Sequence, residues 1–249
     1  MPPTVHLIRH AQGYHNLSTA NHDMPDPSLT PLGESQCRHL AQLFPYHPDI
    51  DLLVASPIRR TLYTALHSFP AELEKGMNVI ALPEIQETSD LPCDTGSDVA
   101  ILRDEFADKP VDLDLVVKGW NSKAGKWAAT STAIEKRAME ARVWLRGREE
   151  ENIAVITHGG FLHFLTGDWT DSRRFEGTGW ANCEYRSYRF SDDALDTNAS
   201  MIETAQSRSR RRGTAKPLTK TERIQLRETA MKTWTNAGYQ KAASEVELH

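Results

Sequence analysis

Two short apolar runs in this chain each end in a histidine, and no other feature limits the fold as much. Residues 4–8, Thr-Val-His-Leu-Ile, run into Arg9-His10, and residues 152–157 run into His158-Gly159-Gly160. A brief, continuous apolar run suits a strand covered on both faces, as in a parallel sheet. A strand that ends in a charged pair places that pair at the carboxyl edge, where open α/β sheets bind ligands. Taken alone, Arg9 and His10 also fit the start of a surface loop, and His158 also fits a structural histidine. The two glycines after His158 favour a site, because they let a backbone N–H approach a ligand and open a helix N-terminus.

The segments between alternate in kind. Residues 11–29 read as a polar loop. Thr30-Pro31 gives a cap followed by proline at the first helical position, and the helix it opens stops before Pro45. Residues 51–55 form a second apolar strand. Ser56-Pro57 repeats the cap-and-proline signal, followed by an apolar stripe of Ile58, Leu62, Ala65, Leu66 and Phe69. Arg59 and Arg60 fall in that helix's first turn, beside its positive end; a solvated arginine pair is the plainer alternative. Residues 78–82 are a third strand. The loop 83–96 after it carries Glu84, Glu87, Asp90 and Asp94, which on composition alone is a solvated acidic loop.

Residues 98–106 predict a helix, and 109–130, with Trp120 and Trp127, an insertion or lid. Residues 132–147 predict a long amphipathic helix with Ala133, Ala138, Ala141, Val143, Trp144 and Leu145 at its apolar positions, and 185–190 alternate as an edge strand. Beyond Thr204 the composition shifts. The basic, Ser-rich run 207–212 is expected to be solvated or disordered, with nuclear import or phosphate contact as the alternative, and 220–234 to form one more helix. The expected organisation is an α/β domain over 1–204, with an inserted lid region at about 88–130, and a basic, partly helical extension over 205–249. Alternating strands and helices imply a mostly parallel central sheet with helices on both faces and strand ends gathered on one edge.

Formal net charge is −5, with +5 in residues 201–249 and −10 in residues 1–200. An acidic body that recognises an anion must use a few focused arginines, not a general positive field. The charge therefore gives no support to a nucleic-acid partner. Cys37, Cys93 and Cys183 are scattered, which indicates neither a disulfide framework nor a zinc site. No apolar run approaches a membrane span, and the first residues form a charged strand, not a secretory signal. A soluble, cytoplasmic protein is expected. Oligomeric state is not legible in the sequence.

The sheet edge would gather His10, His158, Arg9 and Arg60, with the acidic loop close by. Two imidazoles and two guanidiniums without acidic metal ligands make an anion pocket, and guanidinium forks match phosphoryl oxygens. At this point the chain resembles the histidine phosphatase superfamily, in its phosphoglycerate-mutase-like branch. The resemblance rests on Leu7-Ile8-Arg9-His10-Ala11, Leu29-Thr30-Pro31-Leu32-Gly33, Ala55-Ser56-Pro57-Ile58-Arg59-Arg60-Thr61 and Thr157-His158-Gly159-Gly160. They occur in the family's order across residues 4–166. One departure is Ala11, where the family usually has glycine; alanine is tolerable there if its φ stays negative.

The resemblance implies a phosphoglycerate-mutase-like fold and a metal-independent, cofactor-free enzyme acting through a phosphohistidine. By it, His10 is the nucleophile, and Arg9, Arg60 and His158 hold the phosphoryl oxygens. Arg60 is taken over Arg59 because the family's second arginine lies four residues after the motif serine. Asn16 and the Gly159 N–H are further phosphoryl contacts. Glu87 is the general acid, with Glu84 and Asp90 as competitors. Mutases of the family carry a Trp- and Asn-containing segment after the first motif, which residues 12–28 lack. The expected activity is therefore hydrolysis of the phosphate monoester of a small molecule. A mutase-type phosphotransferase and a catalytically idle phospho-ligand-binding domain are the alternatives. Trp120, Trp127 and Leu91 could receive a ring-bearing group or serve as lid core. His15, His22 and Tyr14 stand near the expected entrance.

Overall fold

The computed structural model describes residues 1–172, 178–214 and 216–241. Of the expected extension over 205–249, residues 215 and 242–249 lie outside the described residues. Seven strands are described: β1 (Thr4–Arg9), β2 (Leu52–Ala55), β3 (Val79–Ala81), β4 (Val111–Asp112), β5 (Asn152–Thr157), β6 (Tyr185–Phe190) and β7 (Met201–Glu203). They form one sheet in the order β4-β3-β2-β5-β1-β6-β7. The first five are mutually parallel, β6 runs antiparallel to β1, and β7 runs antiparallel to β6. Eight helices accompany them: α1 (Pro31–Leu43), α2 (Arg59–Ser68), α3 (Pro70–Glu74), α4 (Val99–Glu105), α5 (Ser131–Arg146), α6 (Gly159–Thr166), α7 (Ala205–Arg212) and α8 (Lys220–Asn236).

Strand residues alternate between the two faces, and so there are two cores. Val5, Leu7, Leu52, Val54, Ile153 and Val155 face the core shared with α5, α6 and α8. Ile8, Leu53, Ala55, Ala154 and Ile156 face the core shared with α1, α2 and α4. Because both faces are covered, the central strands are apolar at nearly every buried position before their carboxyl ends, and the exception, His6 of β1, bonds through Nδ1 to the Ser187 hydroxyl at 2.9 Å. The α1 cap is present as read: Thr30 Oγ1 accepts from the Gly33 N–H at 3.0 Å.

The structure departs from the sequence reading in four places. The strand at 185–190 is not at the edge, because β7 pairs outside it. The Ser56-Pro57 signal does not cap α2, which begins at Arg59 with Ile58 in the cap position; the Ser56 hydroxyl is used elsewhere. Val143, counted among the apolar positions of α5, is 43% exposed, while Ile134 and Arg137 are buried. The run 207–212 is not disordered but lies in α7, and it is solvated only in part: Ser209, Arg210 and Arg212 are exposed, whereas Ser207 and Arg208 are buried and Arg211 pairs with Glu203 and Asp168. In the 109–130 insertion Trp120 is fully buried, its Nε1 donating to Ser97 O at 3.2 Å. No helix among the described residues is long and apolar enough to cross a membrane.

Candidate active site

Register sets the site. Arg9 of β1 pairs with Thr157 of β5, and Ala55 of β2 pairs with Ile156. The next residues along, His10, Ser56 and His158, therefore leave the sheet together at its carboxyl edge. Two backbone bonds extend the ladder past the strands: His10 N to Thr157 O at 2.9 Å and Ser56 N to Ile156 O at 3.0 Å. The His10 and His158 rings lie 5.2 Å apart.

Hydrogen bonds define the state of each imidazole. His10 Nδ1 donates to the Ala11 carbonyl at 2.7 Å, so Nε2 carries the lone pair. Arg60 Nε donates to that Nε2 at 3.2 Å. Arg60 NH2 reaches His158 Nδ1 at 3.0 Å, which leaves His158 Nε2 protonated and donating to Ser56 Oγ at 2.9 Å. Burial, and then the Arg60 charge, hold both imidazoles well below the ordinary histidine range, so both are neutral. Ala11 does not adopt a positive φ. It is buried and its N–H donates to Thr64 Oγ1 at 3.0 Å.

Arg60 is the hub, with none of its surface exposed. Its NH1 donates to the Cys93 carbonyl at 2.5 Å and its NH2 to Asp94 Oδ1 at 2.9 Å. Arg59 turns away and pairs with Glu105 at 2.9 Å. Arg9 lines the cavity and donates to the Trp180 carbonyl.

Glu87 lines the same cavity as His10, as does Asp94. The Glu87 carboxyl accepts from the N–H groups of Thr88 (2.9 Å), Phe161 (2.9 Å) and Gly160 (3.2 Å). Gly160 is required there, because a Cβ at that position would meet Glu87 Oε1 at 2.6 Å. Burial, reinforced by the Asp94 charge, raises the Glu87 pKa despite those donors and Arg60. The two competitors point elsewhere: Glu84 pairs with Lys126 and Asp90 with Lys241. The loop is clamped from α5, where buried Arg137 donates to the carbonyls of Glu84 (2.7 Å), Gln86 (3.0 Å) and Glu87 (3.3 Å).

The cavity between these groups has a volume of about 400 Å³. Asn16 lines it and accepts from the Gly13 N–H at 3.1 Å. Gly160, not Gly159, lines it; a Cβ on Gly159 would meet Thr178. Leu91 lines it, as do His15 and His22, whereas Trp120 and Trp127 do not appear among the described lining residues. Four contributors went unassigned in the sequence. The Ser56 hydroxyl read as a helix cap, Asp94 as one of four loop acids, and Arg137 received no role. Lys123, held at Glu87 O (3.4 Å) and pushed down to about 7 by burial and then Arg137, lay in an aperiodic stretch. His15, expected near the entrance, lies 5.3 Å from the His10 ring and has a buried Nδ1 without a hydrogen-bond partner.

A model of the histidine phosphatase superfamily (branch 1) matches residues 5–200. The chain belongs to this superfamily. Phosphoglycerate mutase-like protein 1 of Arabidopsis thaliana is 29% identical over 237 residues, covering 77% of this chain and 82% of that protein. The fold is shared with a phosphoserine phosphatase mutant of Entamoeba histolytica solved with phosphoserine, at TM-score 0.50 and 17% identity. That alignment covers 81% of this chain and 95% of the other. It is also shared with the ecdysone phosphate phosphatase of Bombyx mori, at TM-score 0.51 and 19% identity, with 75% and 89% covered. The histidine phosphatase identification and the phosphoglycerate-mutase-like α/β fold expected from the motifs are thus both found.

Proposed function

We propose that this chain hydrolyses the phosphate monoester of a small molecule through a phosphohistidine at His10. The observation that carries this is the state of His10: Nδ1 is spent on the Ala11 carbonyl, and Nε2 is an unprotonated donor of electrons ringed by Arg9, Arg60 and His158. In the first step the Nε2 lone pair forms a bond to phosphorus while the bond to the ester oxygen breaks. The proton of Glu87 passes to that oxygen and the alcohol leaves. In the second step water attacks phosphorus, its proton returns to Glu87, the phosphorus–nitrogen bond breaks, and phosphate departs. Each step ends with a neutral leaving group. Arg60 Nε, aimed at Nε2 beforehand, shifts to a phosphoryl oxygen, Arg9 supplies a further donor where negative charge sits throughout, and His158 joins them when its Nε2–H turns from Ser56 Oγ to the phosphoryl group. Losing one such donor costs about 3–4 kcal/mol in the barrier.

Among the described residues no group of three or more His, Cys, Asp and Glu could hold a metal ion, and the proposed route uses none. The mutase-like name of the Arabidopsis relative makes phosphoryl transfer the reading that the experiment must separate. The decisive measurement is release of free phosphate, with and without chelator, by the wild type and by His10→Ala. The expected result is chelator-insensitive release that the variant abolishes. Intramolecular transfer on phosphoglycerate without release would replace hydrolysis by mutase chemistry. Equal inactivity of both proteins would leave a binding domain.

A further inference from the structure

The family match ends at residue 200, but the cavity is completed by residues beyond it: Trp234 and Tyr239 line the same space as His10 and Glu87. They are fixed there by packing. α8 buries Ala230 and Trp234 on the sheet-face core, and the Trp234 ring lies 5.5 Å from that of Trp169 and 5.6 Å from that of His163. The chain then turns back: Tyr239 N donates to Trp234 O at 3.0 Å, and Lys241 N to Ala129 O at 3.2 Å. Lys241 Nζ pairs with Asp90 at 2.5 Å. Tyr239 is thus held between α8 on one side and the loops at 90 and 129 on the other. Its ring is 6.4 Å from that of His22.

The cavity therefore has two chemically different ends. Arginine and histidine donors gather at the phosphoryl end. The rest of the lining carries three rings, Trp234, Tyr239 and His22, and two leucines, Leu17 and Leu91, interspersed with the small hydroxyls of Ser18, Thr19 and Ser89. An in-line displacement at His10 sends the leaving group away from the imidazole, toward the second end. A flat apolar group gains there from burial and from edge-to-face ring contacts. A small carboxylate-bearing group would instead lose water against rings.

We propose that Trp234 and Tyr239, supplied by the segment after the family's matched region, form the recognition wall for the leaving group. The substrate class they select is the phosphate monoester of a planar, ring-bearing alcohol, not a small phosphorylated hydroxy acid or amino acid. The turnover part of this inference rests on the proposed phosphatase chemistry; the binding part does not.

The test compares 1-naphthylmethyl phosphate with O-phosphoserine, both esters of aliphatic alcohols, so that leaving-group acidity does not dominate. It also measures binding of the non-hydrolysable 1-naphthylmethylphosphonate and of methylphosphonate by calorimetry. The wild type is expected to favour the naphthyl compounds in both assays. Tyr239→Ala is expected to weaken naphthylmethylphosphonate binding and raise the matching KM about tenfold, with methylphosphonate binding unchanged. Tyr239→Phe and Trp234→Phe, which keep a ring, should stay within about threefold. Equal wild-type affinity for the two phosphonates would overturn the inference, as would an equal loss for both in Tyr239→Ala. If phosphate is released but the naphthyl preference ignores Tyr239, this inference alone fails. If nothing is hydrolysed but phosphonate selectivity depends on Tyr239, the recognition wall stands and the hydrolase reading falls.

Discussion

In the proposed route Glu87 has to keep a proton at a pH where an ordinary carboxyl has lost it, and His10 has to be without one where an ordinary imidazole still holds it. The structure pushes each in the required direction. Burial and then Asp94 raise the Glu87 pKa, and burial and then Arg60 lower that of His10. Activity should therefore rise as His10 deprotonates, at a pH below 6.5, and fall as Glu87 deprotonates, at a pH above 4.5. Glu87→Gln should cut kcat roughly 10²–10⁴-fold on an alkyl phosphate. The loss should be much smaller on p-nitrophenyl phosphate, whose leaving group needs no proton, and the descending limb of the pH profile should vanish. A variant equally impaired on both esters, with that limb intact, would assign the proton to another group. His10 and His158 were legible by position, since each follows an apolar strand. Arg60 over Arg59, and Glu87 among the loop acids, were legible only through the family's motifs. Asp94, Lys123 and His15 have roles only through what lies across the cavity, and no local pattern reports that.

At the scale of elements, β1, β2, β3 and β5 were legible because a strand covered on both faces is apolar without interruption. β4, with two residues, is too short to leave a pattern, and β7, Met-Ile-Glu with Ile202 exposed, sits in no continuous apolar run. Ser56-Pro57 misread as a helix cap because the hydroxyl that would cap α2 is bonded to His158. The same blindness hid Arg137. A charged residue on a helix reads as solvent-facing, yet this one is buried and carries the backbone of the Glu87 loop on its guanidinium. Removing it would leave up to three carbonyls without their donor, at roughly 1–3 kcal/mol for each that stays buried. Arg137→Met is expected to lower the unfolding free energy by about 3 kcal/mol in urea and to reduce kcat more than it raises KM, because Glu87 loses its aim. A loss below about 0.5 kcal/mol would show that the loop is held by its other contacts.

Across the whole molecule, the charge imbalance between the acidic body and the basic end read in the sequence as a solvated tail. In the fold it is complementarity. Arg211 reaches both Glu203 (2.6 Å) and Asp168 (3.1 Å), Arg208 joins it on Glu203, and Arg212 pairs with Asp171; Arg227 pairs with Glu135. These pairs differ in depth, and depth decides their worth. Around Arg211 the side chains are 12% exposed for the arginine, 1% for Glu203 and 8% for Asp168. Around Arg212 and Asp171 they are 31% and 32% exposed. Arg211→Ala would leave two buried carboxylates short of their partner, a loss at the low end of about 3–5 kcal/mol, because Arg208 and Ser207 still serve Glu203. For a chain of this size that is roughly 6–12 °C in Tm. Arg212→Ala should cost at most about 1 kcal/mol, and the little it costs should shrink further at high salt, where the Arg211 effect persists. Thermal unfolding of both variants at low and high ionic strength measures the contrast. Equal, salt-sensitive losses would mean that the basic end is held by a diffuse field and not by the buried Arg211 pairs.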